Sequence, residues 1–116
     1  QDELWHFYLG GPMRLACIDT HGYPREVTLG HDLFAGQHVQ FTVPGGCWFG
    51  ATPAPGSAFS LVGCMVSPGF DMDDLRIGQP EELTLRYPMA KDCIREFCPP
   101  LNDAQREVCR RCGDDE

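Results

Sequence analysis

The stretch that most constrains this chain is Gln40-Phe41-Thr42-Val43-Pro44-Gly45-Gly46-Cys47-Trp48-Phe49. Phe41 and Val43 share one parity, Gln40 and Thr42 the other, the period of a strand with an apolar and a more polar face. Pro44 cannot donate to a ladder and ends the strand. Gly45 and Gly46 permit a tight turn that a residue with a Cβ would resist. Trp48 then restarts the chain with a large ring that needs burial. Strand, tight turn, strand is the local reading, and a chain that buries such a turn is building a closed or two-layered β structure.

The remaining segments repeat the theme. Leu4 to Leu9 is bulky on both parities and reads as a strand covered on both faces. Met13 to Ile18 and Arg25 to Leu29 flank Asp19-Thr20-His21-Gly22, a hairpin signature. Gly30 to Gly36 connects, Thr52 to Gly56 is a Pro-rich loop, and Ser57 to Val66 is a long strand. After the turn Ser67-Pro68-Gly69, a last strand interrupted by acids is expected over 70–77. Thirteen glycines and ten prolines among 116 residues suit many short strands joined by turns. Such spacing indicates a sandwich or barrel.

The tail changes character. Pro80 to Tyr87 predicts a short helix with Pro in its first turn and Glu81 and Glu82 near its positive end. Ala90 to Phe97 predicts a second, stopped by Pro99-Pro100. Asn102 with Gln105 makes a capping-box pattern for a third, closed by Arg110, Arg111 and Gly113. The fold class is therefore all-β with a short helical, Cys-rich C-terminal tail packed outside the β core.

Seventeen acids against nine Lys and Arg give a formal charge of −8, which argues against nucleic acid and anionic membrane as partners. No apolar run approaches a bilayer span. The chain starts at Gln1, already inside a strand-like segment, so an N-terminally incomplete domain is expected. Of seven cysteines, Cys17, Cys47 and Cys64 sit singly in strand-like segments as small hydrophobes of a reducing compartment, and a cytoplasmic location follows as the expectation. Cys93, Cys98, Cys109 and Cys112 crowd the tail. Two pairs of thiolates could hold one structural zinc, or form two disulfides, or stay free.

Three blocks together resemble the cupin superfamily, and more narrowly a family of small cupins related to jelly-roll sugar epimerases. They are Asp2 through Gly10, Gln40 through Trp48, and Ser60-Leu61-Val62-Gly63-Cys64 continuing to Pro68-Gly69-Phe70-Asp71. Glu3 followed by six residues and Gly10 fits the closing half of the first cupin motif; Gly36, Pro44 and Gly46 fit the second. The resemblance covers residues 1–88 as a cupin jelly-roll domain, a double-stranded β-helix, and leaves residues 89–116 as the helical tail. It implies that the face carrying Glu3 lines the barrel cavity and that a homodimer forms. It also implies a metal site built from histidines and a Glu. Here Glu3 alone remains of that set, and Trp48-Phe49 stand at the second-motif His position. One carboxylate does not make a site for iron or manganese, so no cofactor is predicted in the barrel.

Within that frame Glu3, His6 and Tyr8 are candidates for acid–base chemistry, and Trp5, Gln40 and Trp48 for ligand binding. Glu3 would serve as a general acid or base if burial raised its pKa; otherwise it hydrogen-bonds a neighbouring strand. His6 reads first as a structural histidine, and Tyr8 as either a donor to a sugar-like ligand or packing. Gln40 reads first as satisfying backbone groups, and Trp48 either stacks on a ligand or plugs the mouth. Alternation puts Glu3 opposite His6 and Tyr8, which weakens a dyad between strand neighbours. Asp71, Asp73 and Asp74 lack calcium-loop spacing and read as an acidic rim. His21, His31 and His38 read as surface residues.

Two functions follow. One is a small-molecule-binding cupin, extending to a metal-independent isomerase or epimerase on a sugar-like or nucleotide-like ligand. The other is a non-catalytic structural or interaction module. An open pocket beside Glu3 separates the first from a barrel filled by Trp5, Phe7, Phe41, Trp48 and Phe59.

Overall fold

A computed structural model describes residues 1–69, 71, 76–98 and 102–104. Among them the chain forms two antiparallel three-stranded sheets and two short helices. The strands are β1 (Asp2–Gly10), β2 (Met13–Ile18), β3 (Pro24–Leu29), β4 (Gln40–Val43), β5 (Trp48–Pro53) and β6 (Ser60–Ser67). One sheet has the order β4-β1-β6, the other β3-β2-β5. The helices are α1 (Pro80–Arg86) and α2 (Lys91–Phe97). No helix among the described residues is long and apolar enough to cross a membrane.

Strand alternation sorts the side chains between layers. Trp5 and Phe7 of β1, Leu15 and Cys17 of β2, Leu29 and Val43 form the buried core between the sheets, with Phe41 and Val62 against it. The opposite parity of β2 points outward. There Ile18 packs with Leu83, Ala90 and Ile94, and Trp48 and Tyr87 close over them. The helices thus cover one outer face of the sandwich, as expected for a tail packed outside the β core. Burying these apolar side chains supplies the main favourable term. Arg14, also outward on β2, bridges Glu26 of β3 and Glu96 of α2 and lies 4.9 Å from the Phe97 ring centroid.

Local chemistry accounts for the turns. The Asp19 carboxylate accepts from the backbone N–H of His21 and of Tyr23, closing the β2–β3 hairpin. The Pro-Gly-Gly corner is a turn in which Cys47 N–H donates to the Pro44 carbonyl at 3.4 Å and Gly46 takes φ 84°. Its flanking strands do not pair with each other: β4 lies in one sheet and β5 in the other, so the corner carries the chain between layers. Gly45 N–H donates to the Asp2 carboxylate at 2.7 Å and ties that corner to the start of β1.

Some boundaries differ from expectation. β6 starts at Ser60 rather than Ser57, because Ser57 N–H donates to Ala54 O and holds the preceding residues in a turn. The connection over 30–36 contains a single 3-10 turn, Leu33–Ala35, capped by Asp32. The strand expected over 70–77 falls largely outside the described residues; Asp71, Arg76 and Ile77 are described and lie in no strand. Both expected short helices are present, α1 with its proline in the first turn and Glu81 and Glu82 beside it. The third helix, past Ala104, lies outside the described residues, as do Asp73 and Asp74. His21, His31 and His38 are all exposed.

Candidate functional site

β5 pairs with β2 along one edge. Along its other edge runs a cavity of about 810 Å³. The cavity reaches from the sandwich interior to the helices, and residues of both β5 parities line it. Glu3, Cys17, Cys47 and Phe49 stand on the interior side, Trp48 and Phe97 on the helical side. The segment Arg76–Gly78 closes the far wall. Gly50 lets α2 approach, since a Cβ there would lie 3.2 Å from the Phe97 carbonyl oxygen.

Geometry divides the six barrel candidates. Glu3 and Trp48 meet at the cavity. Trp5 shares Glu3's face but is buried in the core, its ring edge-on to Phe49 with centroids 6.0 Å apart. Its indole N–H has no hydrogen-bond partner among the described residues. His6, Tyr8 and Gln40 lie on the other face of the β4-β1-β6 sheet, outside the sandwich. There the His6 and Tyr8 rings stack, with centroids 6.2 Å apart and planes 8° from parallel. Gln40 Nε2 sits 3.3 Å from His6 Nδ1. The structure therefore does not bring Glu3, His6 and Tyr8 into one constellation. Successive residues of a strand project to opposite faces, and β1 is a regular strand from Asp2 to Phe7.

The residue that does meet Glu3 was not among the candidates. Cys64 of β6 lies opposite Trp5 in the ladder, on the interior face. Desolvation, and then a hydrogen bond to the Glu3 carboxylate, push the Cys64 thiol up to about 12. Cys64 keeps an exposed surface, so the Glu3 contact is the specific part of that effect. Burial raises Cys17, with the neighbouring Cys47 adding to it. Burial and then Asp19 raise Cys47, and burial and then Glu26 raise Cys93. Thiols held in the protonated form are weak nucleophiles and weak metal ligands. The cavity wall is thus apolar, aromatic and thiol-rich, with Glu3 as an acidic group at its interior end. Alternation along β6 could have paired Cys64 with Val62 and Val66, but not with Glu3, because the β1–β6 register is not written in either strand.

Among the described residues no group of three or more His, Cys, Asp or Glu side chains is placed to hold a metal ion. The superfamily's usual metal set does not fit these donors, since the carboxylate of Glu3 is accompanied in the cavity by Trp48 and Phe49 rather than by histidines. In the tail, Cys93 lines the cavity and the Cys98 thiol donates to the Gly78 carbonyl at 3.3 Å. Cys109 and Cys112, the other half of the expected zinc or disulfide arrangement, lie outside the described residues.

Solved proteins share this fold. A crystal structure of a protein from Shewanella oneidensis is 41% identical with a TM-score of 0.79, covering 86% of this chain and 63% of that one. A hypothetical protein from Leishmania major is 33% identical with a TM-score of 0.74, covering 83% of this chain and 63% of that one. The chain thus spans under two thirds of the length of these two structures. No curated protein matches it. Residues 1–78 match the family described as Cupin superfamily (DUF985). With its sandwich, its corner and its cavity-facing Glu3 in place, the chain belongs to that cupin family.

Proposed function

We propose that this cupin domain binds a small molecule in the cavity along β5, and that its role there is binding rather than thiol chemistry. The observation that carries the reading is one open cavity of about 810 Å³ bordered by the Glu3 carboxylate and the Trp48 and Phe49 rings. A volume of that order suits a ligand the size of a nucleotide or a disaccharide. The aromatic and apolar wall would take a flat or apolar face, and Glu3 would accept hydrogen bonds from hydroxyl or amino groups. Trp5 and Phe7 fill the centre of the sandwich, while Phe59 stands exposed, so packing leaves the Glu3 end open.

An isomerase would need an acid facing Glu3 across the substrate. Cys64, the side chain that meets Glu3, is hydrogen-bonded to the Glu3 carboxylate itself and so does not face it across a substrate. That favours binding over proton transfer.

The test is a thermal-shift screen of the purified chain against sugars, nucleoside phosphates and divalent metals, followed by repetition with Trp48→Ala and Glu3→Gln. A ligand at about 100 times its Kd stabilises the folded state by about 2.7 kcal/mol, roughly 10 °C for a domain of this size. The expected result is a shift that Trp48→Ala and Glu3→Gln reduce. A hit that both variants bind unchanged, or no hit across the panel, refutes the assignment.

A further inference from the structure

A second cavity, of about 320 Å³, lies between the β2–β3 hairpin turn and the junction of the two helices. It shares no residue with the cavity along β5. Thr20, His21 and Gly22 form one wall; Arg86, Tyr87, Pro88 and Met89 form the other. The turn wall is held by its own hydrogen bonds. Gly22 N–H donates to the Asp19 carbonyl, and the N–H groups of His21 and Tyr23 donate to the Asp19 carboxylate. Gly22, at φ 87°, is buried, and a Cβ there would lie 3.3 Å from the Tyr87 ring. Tyr87 in turn packs on the cluster of Ile18, Leu83, Ala90 and Ile94. Both walls are therefore set before anything enters, which lowers the ordering cost of binding.

The charge inside runs against that of the chain. The formal charge is −8, yet no carboxylate lines this cavity and Arg86 does. The Arg86 guanidinium lies over the Tyr87 ring, 5.3 Å from its centroid. It makes no ion pair among the described residues, unlike Arg14, which holds two acids. A cation–π contact positions a guanidinium without neutralising it, so its charge remains for an anion. Asp19, the acid next to the turn wall in sequence, has its carboxylate engaged by two N–H groups. Thr20 brings a hydroxyl and His21 a ring N–H to the same space. The carbonyl end of α1 opposes an anion here, but with about half a charge at most against the full charge of Arg86.

We infer that this second cavity is an anion site that takes a phosphate group, either free phosphate or the phosphate end of a small monoester. Arg86 supplies a planar fork whose parallel N–H donors match two phosphate oxygens. Thr20 and His21 donate to the remaining oxygens from the opposite wall. The volume stands at the small end for ligand sites, which suits a phosphate with a few atoms attached. The net negative charge of the chain opposes a polyanion, but charges more than about 8 Å away are largely screened at physiological salt. For one small anion the local sign decides, and here it is positive. One guanidinium and two neutral donors at an open site make the binding weak, with Kd in the millimolar range. The site stands whatever the cavity along β5 binds.

The experiment is amide chemical-shift mapping by NMR of the purified chain, titrated with inorganic phosphate and separately with glycerol phosphate. The pH is fixed and the ionic strength is held constant with chloride. The expected result is a saturable shift centred on Thr20, His21, Gly22 and Tyr87, with Kd of roughly 1–10 mM. Arg86→Gln is expected to weaken binding at least about tenfold, since it removes the charged donor. Arg86→Lys, which keeps the charge without the fork, should fall between the two. Arg95→Gln, an exposed change on α2 outside both cavities, should bind like the parent. Arg86 is exposed, so Arg86→Gln should keep the parent's thermal unfolding in phosphate-free buffer. The parent titration needs no variant and locates the site by itself. Tighter binding of glycerol phosphate identifies a monoester as the occupant, equal binding identifies free phosphate, and either sustains the site. No saturation by about 50 mM, shifts centred on other cationic positions, or Arg86→Gln titrating like the parent each overturns the inference.

Discussion

Ile94→Ala tests the link between the helical tail and the cavity. Ile94 is buried against Ile18, Leu83 and Ala90, with Trp48 over the same cluster, and it also lines the cavity. The substitution removes three carbons, worth about 0.8 kcal/mol each in transfer from water, or ~2.4 kcal/mol. The void left behind adds to this, and buried Ile→Ala changes cost about 2–5 kcal/mol in all. An expected loss of about 3 kcal/mol is a large share of the ~5–15 kcal/mol typical of a domain. It should lower Tm by roughly 10 °C or more. The assay is urea and thermal unfolding followed by circular dichroism, with tryptophan emission as a second probe. Because Trp48 packs on this cluster, its emission should shift to the red in the folded variant. A loss below about 1 kcal/mol with unchanged emission would mean that α2 contributes no cooperative packing. The cavity would then lose its helical wall.

Other expectations are briefer. Gly10→Ala should destabilise by about 2 kcal/mol or more, from a left-handed backbone and a backbone clash: Gly10 has φ 96°, and its Cβ would lie 2.5 Å from the Phe59 carbonyl oxygen. Unchanged unfolding midpoints would contradict that geometry. Arg14 holds Glu96 below its ordinary value of 4.5, so the pairing stabilises the fold above that value and is lost as pH falls through the lowered one. Tm of Glu96→Gln should therefore fall less steeply than that of the parent as the solution is acidified below 4.5, and parallel curves would refute the pairing. Cys64, pushed up to about 12 by desolvation and then by Glu3, should alkylate slowly with iodoacetamide at mildly alkaline pH. Glu3→Gln should speed this, since each unit of pKa is worth about tenfold in thiolate. Peptide mapping reads the rate at Cys64, and equal rates in the two proteins would disprove the Glu3 contact.

Much of the strand pattern was legible from local chemistry. The Asp19 turn and the parity of β1 predict elements that the structure contains nearly as drawn, and Pro80 marks α1. The Pro-Gly-Gly corner likewise marks the end of β4, because proline and glycine act on their own backbone and need no distant partner to end a strand. The site was legible in half. Alternation correctly separated Glu3 from His6 and Tyr8, but did not say which residue from elsewhere would face Glu3.

Sequence alone determined that this chain makes short strands around a tight corner, followed by helices, and the family match agrees with that reading. Tertiary structure decided that β4 and β5 go to different sheets and that Cys64 meets Glu3. It also placed Trp48 beneath the helices and set His6, Tyr8 and Gln40 on the outer face of the β4-β1-β6 sheet. Those outcomes depend on register and layer packing between segments far apart in the chain. A period of two says which side chains share a face, but not which face another strand will bring to them.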